Sequence, residues 1–158
     1  MAATPATDRF RAAAATVGLD PTIKTFPKDT RTAQQAADAL GCELGQIVKS
    51  LIFKAGDEHV LVLTSGVNRV DVTKTAPFFD IEKLGKADAD GAREATGFAI
   101  GGIPPCGHPS PLRAVIDQDL LTWTTIWAAA GAPDAVFELT PDELVRVTGA
   151  AVADIAAE

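Results

Sequence analysis

Residues 46–65 read Gln46-Ile-Val-Lys-Ser-Leu-Ile-Phe-Lys54, then Ala55-Gly-Asp-Glu58, then His59-Val-Leu-Val-Leu-Thr-Ser65. Ile, Val, Leu and Phe pack well on a pleated surface, and two such runs separated by a short Gly-containing connection predict a β-hairpin. Side chains alternate along a strand, so Lys49, Leu51 and Phe53 share one face while Val48, Ser50 and Ile52 share the other. Lys49 therefore falls on an apolar face. Either its stem carries the charge out to the rim of the sheet, or its ammonium faces a pocket that needs a cation.

Around this hairpin the chain alternates helical and extended signals. Upstream, Thr7 is expected to cap a helix through the alanines to Gly18, TIKTF follows as an extended piece, and Thr32 precedes the helix AQQAADAL, stopped by Gly41. Downstream, Asn68-Arg-Val-Asp71 reads as a turn into a helical VTKTAPFF whose length Pro77 limits, and Lys86–Thr96 as a short helix ended by Gly97. GFAI and RAVID are expected strands on either side of a Gly/Pro loop. TWTTIWAA and AVFEL are two more, around a turn at Gly131–Asp134. Thr140-Pro-Asp-Glu143 combines an N-cap Thr, Pro at the first helical position and Glu two further on, which starts the helix LVRVTG. Without a regular βαβ rhythm, the pattern predicts an α+β single domain over residues 1–158, with a mixed, largely antiparallel sheet flanked by helices.

The 158 residues, 47% hydrophobic and 22% charged, suit one globular domain with a substantial core. No apolar run approaches the about 18 residues of a membrane span. The Ala-rich N-terminus lacks a signal-peptide core, so a cytoplasmic location is expected. Cys42 and Cys106 form no CxxC or metal-ligand spacing and are expected as free thiols; no metal or cofactor is expected. The net charge of -7 is carried entirely from Ala114 onward, where Arg146 is the one base against eight acids. The remainder is balanced and holds local basic groups, Lys24, Lys28 and Arg31, then Arg69, Lys74, Lys83 and Lys86, compatible either with a nucleic-acid contact or with simple solvated charge.

The most unusual segment is Thr96-Gly-Phe-Ala-Ile-Gly-Gly-Ile-Pro-Pro-Cys-Gly-His108. Glycine permits close approach of a ligand or backbone, and proline stiffens the loop, so its amides suit a carbonyl or oxyanion; a tight connection between strands is the plainer alternative. It is neither GxGxxG nor a P-loop. Cys106 and His108 suggest a Cys/His hydrolase, but no orienting acid is identifiable, and space-filling for Cys106 and loop capping for His108 are the simpler readings. Asp117, closing RAVID, could orient loop amides or serve a strand-end turn. Trp123 and Trp127 read as core or interface residues rather than base-stacking platforms.

The ordered set AADALG, IVKSLIF, KADADGAREATGFAIGGIPPCGH, VID, AAG and LTPDEL, spanning about Thr32 to Leu144, resembles the YbaK/ProX family of aminoacyl-tRNA deacylases, related to the editing insertion of bacterial prolyl-tRNA synthetase. The resemblance implies a trans-editing deacylase that hydrolyses the ester of mischarged tRNA, metal-independent and without cofactor, with tRNA(Pro) carrying a small wrong amino acid as the expected substrate. Its partners would be the tRNA 3′ acceptor end and prolyl-tRNA synthetase, with no membrane; the oligomeric state stays open. The family's essential lysine falls on Lys49, and its GxxxP element on Gly101-Gly-Ile-Pro-Pro105. Lys49 and Gly101 are thus the expected catalytic residues, with Gly102, Ile103, Pro104, Pro105, Gly107, His108 and Asp117 expected to bind substrate. A neighbouring ribose hydroxyl of the substrate is implied to take part, so no protein nucleophile is required. Cysteine-specific members carry Ser ahead of the AG turn where this chain has Ala129-Ala-Gly131, so the amino acid removed stays open among alanine, 2-aminobutyrate, serine and threonine. The alternative function is a non-catalytic protein that binds tRNA ends or nucleotides in the same pocket.

Overall fold

The computed structural model describes residues 5–26 and 32–157. Lys28 and Arg31 of the first basic group lie outside them. Along the chain come α1 (Pro5–Thr16), β1 (Ile23–Thr25), α2 (Ala33–Leu40), β2 (Val48–Ala55), β3 (Glu58–Ser65), α3 (Val72–Thr75), β4 (Gly85–Lys86), α4 (Ala89–Thr96), β5 (Ala114–Asp117), β6 (Ile126–Ala129), β7 (Ala135–Leu139), α5 (Pro141–Thr148) and β8 (Ala151–Ala153). The strands form two sheets: a mixed five-stranded one in the order β4-β2-β3-β5-β8, and an antiparallel three-stranded one in the order β1-β7-β6. The predicted hairpin is β2 and β3, paired from Val48↔Ser65 to Ala55↔Glu58.

β3 is the middle of the larger sheet, antiparallel to β2 and parallel to β5. Its run from Val60 to Ser65 is buried throughout, which explains why HVLVL is continuously apolar rather than alternating. Leu61 and Leu63 enter the main core with Val48, Ile116, Phe98 and Phe137, whereas Val60 and Val62 face a second core with Phe79, Val115 and Ile155.

Local signals set most helix ends. Thr32 and Thr140 each accept from the backbone N–H three residues on, and Gln35 and Glu143 reach back to complete capping boxes. Gly41, Gly97 and Gly149 close their helices in the left-handed conformation. Three expectations need correction. Thr7 lies inside α1 and is buried instead of capping it. Phe98–Gly101 is a turn rather than a strand, because Thr96 Oγ1 accepts from the Phe98 amide and donates to backbone carbonyls, and the Gly102 N–H bonds Ala99 O. The strands divide between two sheets rather than forming one.

The site lies where those sheets meet. On its outer edge β2 is paired by β4 only at Phe53 and Lys54. Its first half instead faces β6, which a parallel bridge from Ile47 to Trp127 ties alongside.

Candidate active site

A cavity of about 250 Å³ opens at this junction. The first half of β2 supplies Val48, Lys49, Ser50 and Leu51; Ala33 and Ala36 come from α2, Trp127 and Ala129 from β6, Val136 from β7, and Ile100, Gly101 and Ile103 from the glycine-proline loop. The walls are mainly apolar, and among the described residues they include no His, Cys, Asp or Glu. Three small residues, Ala33, Ala36 and Ala129, keep the space open.

Lys49 supplies the charge. Its ammonium donates to the main-chain oxygen of Asn68 at 2.7 Å, and among the described residues no carboxylate lies within ion-pair distance. Burial pushes its pKa below the ordinary 10.5, the charge of Arg69 pushes the same way, and Asp117 opposes both. Lys49 is thus half-buried, lines the cavity, and is held by a main-chain oxygen rather than by an ion pair with any described residue.

The loop contributes backbone. Gly101 has φ +90, a conformation open to glycine. The Gly102 N–H is already bonded to Ala99 O, so this expected contributor has no free amide. Among the described residues, the N–H groups of Gly101 and Ile103 have no hydrogen-bond acceptor, and both residues line the cavity. Ser50 Oγ, also on a cavity-lining residue, is buried without a partner.

The other expected site residues lie elsewhere. Gly102 and Pro104 are buried and do not line this cavity; Pro105, Gly107 and His108 line a second cavity with Cys106, Leu112 and Val147. His108 Nε2 bonds Pro104 O at 2.9 Å, which makes it the protonated nitrogen, and burial pushes the imidazole's pKa down. Cys106 is buried, and desolvation pushes its thiol up to about 11, so at neutral pH it is a poor nucleophile. A Cys106→Ala substitution, or treatment with iodoacetamide at neutral pH, is expected to leave the ester hydrolysis implied by the family resemblance within about twofold of wild type. A loss of tenfold or more would revive the Cys/His hydrolase.

Asp117 is fully buried. It accepts from Thr64 Oγ1, the Ser65 amide, Asn68 Nδ2 and the Asp119 amide, all within 3.0 Å. It thereby joins the ends of β3 and β5 beneath the lysine. Sequence reasoning missed Asn68, Ser50 and the apolar walls from α2, β6 and β7. Asn68 read simply as a turn residue, and no local pattern reveals which side chains meet across a seam between sheets.

The profile of the family described as "Aminoacyl-tRNA editing domain" matches residues 27–147. The chain belongs to this family. The editing domain is 32% identical over 123 residues to the uncharacterized protein YwhH of Bacillus subtilis (strain 168), covering 77% of this chain and 78% of that one. It is 27% identical over 128 residues to the proline–tRNA ligase of Lactobacillus helveticus (strain DPC 4571), covering 74% of this chain but only 23% of the ligase. Among solved structures, a candidate trans-editing enzyme for prolyl-tRNA synthetase superposes with a TM-score of 0.95 at 44% identity, over 99% of this chain and all of that one. The hypothetical protein APE2540 gives 0.81 at 32% identity, over 91% and 96%. These matches agree with the α+β fold and with the family resemblance seen in the sequence. Among the described residues no helix is long and apolar enough to cross a membrane.

Proposed function

We propose that this editing domain acts in trans as an aminoacyl-tRNA deacylase, cleaving the ester between a small, wrongly attached amino acid and the terminal ribose, with tRNA(Pro) as the carrier. One observation carries the reading: Lys49, whose ammonium has no ion-pair partner among the described residues, lines the same apolar cavity as Gly101 and Ile103, whose amide N–H groups have no acceptor among them. At about 250 Å³ the space is below the roughly 300–1,000 Å³ common for drug-sized ligands. It suits an aminoacyl group, leaving the nucleoside at the mouth.

Water adds to the ester carbon, and the carbonyl oxygen becomes an oxyanion that Gly101 and Ile103 N–H would stabilise. The bond to the ribose oxygen then breaks, and that oxygen takes a proton. Among the described residues the cavity walls offer Ser50 no His or carboxylate to activate it, so a covalent enzyme intermediate is not part of the scheme. The neighbouring ribose hydroxyl assists the water, while Lys49 holds the ester end and screens the charge of the nearby phosphate. The described residues of the walls carry no carboxylate, imidazole or thiol to ligate an ion, and the reaction is proposed to be metal-independent. Gly102 and Pro104 would shape the loop, and Asp117 the ends of β3 and β5; Pro105, Gly107 and His108 would meet the tRNA outside the aminoacyl cavity.

Discrimination by a synthetase pocket is limited to about 1–3 kcal/mol per methylene, which leaves small amino acids to a second sieve. The test is hydrolysis of Ala-, Cys-, Ser- and Thr-tRNA by the purified protein with chelator present. Rapid loss of one ester is expected. If no ester is cleaved while tRNA still binds, the same cavity belongs to a non-catalytic tRNA-end binder.

The active form requires Lys49 charged. Its lowered pKa predicts that the rate declines with rising pH through a midpoint below 10.5, followed in Lys49→Arg by displacement of that decline to higher pH. Stability runs the opposite way. The unfolded chain keeps the Lys49 proton over the interval between the folded pKa and 10.5, so the burial penalty on Lys49 is present at neutral pH and relieved as pH rises through that interval. A pH–rate profile with no such limb would contradict a role for the ammonium.

A further inference from the structure

We infer that Asn68 is the positioning residue for Lys49: its side-chain amide, clamped between the carboxylates of Asp117 and Asp119, fixes the main-chain oxygen that holds the ammonium in place. This rests on the role proposed above for Lys49. A lysine side chain has four torsions and loses considerable rotamer freedom when its ammonium must occupy one position. A carboxylate would hold it firmly but would also neutralise it. Here the holder is a neutral carbonyl, at 2.7 Å, so one ammonium proton is committed and, among the described residues, two stay available to a ligand.

A carbonyl is a fixed anchor only if its own residue is fixed. Asn68 sits in the connection after β3, with both neighbours, Val67 and Arg69, exposed. Such a segment has little packing of its own. Its anchorage is polar: Asn68 Nδ2 donates to Asp117 Oδ2 at 2.8 Å and to Asp119 Oδ2 at 2.7 Å, and the Asn68 amide N–H bonds Ser65 O at 2.9 Å. Both amide hydrogens are used, each on a different carboxylate, which makes two charge-assisted bonds. Asp117 is in turn held by Thr64, Ser65 and the Asp119 amide. The chain of contacts therefore runs from the buried ends of two parallel strands, through one asparagine, to the cavity charge. It keeps both acids one residue removed from the ammonium, and Asp117 favours the charged form without pairing with it.

Asn68→Ala, Asp119→Ala and Asp119→Asn test the clamp beside wild type and Lys49→Ala. Single-turnover deacylation, KM and thermal stability are measured, and the Lys49 Nζ is titrated by NMR in each variant except Lys49→Ala. Asn68→Ala is expected to lower kcat tenfold or more with KM within about twofold. Freed toward solvent, its Lys49 should titrate at higher pH than in wild type, because burial is the main cause that lowers it, with Arg69 acting the same way and Asp117 opposing both. Asp119→Ala should reproduce both effects in part. Asp119→Asn, which keeps an oxygen to accept from Asn68, should restore them toward wild type. An unchanged Lys49 titration in Asn68→Ala, or in Asp119→Ala should the former not fold, overturns the clamp, as does a kcat loss that follows thermal stability alone. The two readings fail separately: a shifted titration with no deacylation by wild type keeps the clamp and removes the enzyme, whereas Lys49-dependent deacylation with an unshifted titration does the reverse.

Discussion

Lys49→Ala is expected to slow deacylation of the preferred mischarged tRNA at least about a hundredfold, roughly 2.7 kcal/mol of transition-state stabilisation. The size follows from the surroundings. At about 4 Å and an effective dielectric near 20, an ammonium and one substrate charge interact by roughly 4 kcal/mol before desolvation is subtracted. Among the described residues no other cation lines the cavity, so none of them replaces it. Part of the desolvation has already been met in the folded protein, as the lowered pKa records, and the interaction is correspondingly stronger than on an open surface. The loss should fall mainly on kcat if the charge acts on the developing oxyanion, and mainly on KM if it holds a phosphate. Retention of more than a tenth of the wild-type rate would remove Lys49 from the chemistry.

The second large effect is expected at Gly102, which touches no substrate in the proposed scheme. A Cβ there would stand 2.8 Å from both Cα and the carbonyl carbon of Ala132, and 3.0 Å from its nitrogen. These are backbone atoms, and neither side can yield cheaply. The Gly102 N–H is bonded to Ala99 O, and the turn beyond is fixed by the bond from Ala135 N–H to Ala132 O. Gly131 in that turn has φ +102 and itself packs on the backbone of Ala6. Gly102→Ala should therefore cost about 1–3 kcal/mol of stability and displace Gly101 and Ile103. Because a shift on the order of 1 Å at a reacting centre can cost about a hundredfold, deacylation should fall by more than tenfold. Gly56→Ala is the control: φ there is +66, but the space is open and the hairpin turn lies away from the cavity. It should lose about 1–2 kcal/mol of stability from the left-handed backbone alone and keep its activity. Wild-type melting and wild-type rate in Gly102→Ala would show that this contact does not organise the loop.

What could be read from the chain was what short-range chemistry determines. The caps at Thr32 and Thr140, the hairpin at Gly56, and Lys49 on an apolar strand each depend on residues a few positions apart. β4 and β8, two and three residues long, exist because longer strands beside them leave edges to pair, and they carry no periodicity of their own. Phe98 looked like strand material, but the Thr96 hydroxyl captures its amide and turns the chain. Within the site, Lys49 and Gly101 were legible, and Ile103 followed from the loop. Asn68 was not, since its partners Asp117 and Asp119 are about fifty positions away and nothing in the word NRVD points to them.

The seam between the two sheets has a consequence for how such a protein changes over time. Charge and loop amides come from β2 and residues 101–103, whereas much of the chamber's girth comes from Ala33 and Ala36 on α2 and Ala129 on β6. None of these alanines takes part in the hydrogen bonds that hold Lys49. Enlarging one of them narrows the chamber by a methylene or two and leaves the reacting groups where they are. Under the proposed reaction, preference for one amino acid over another can therefore drift independently of the ability to hydrolyse.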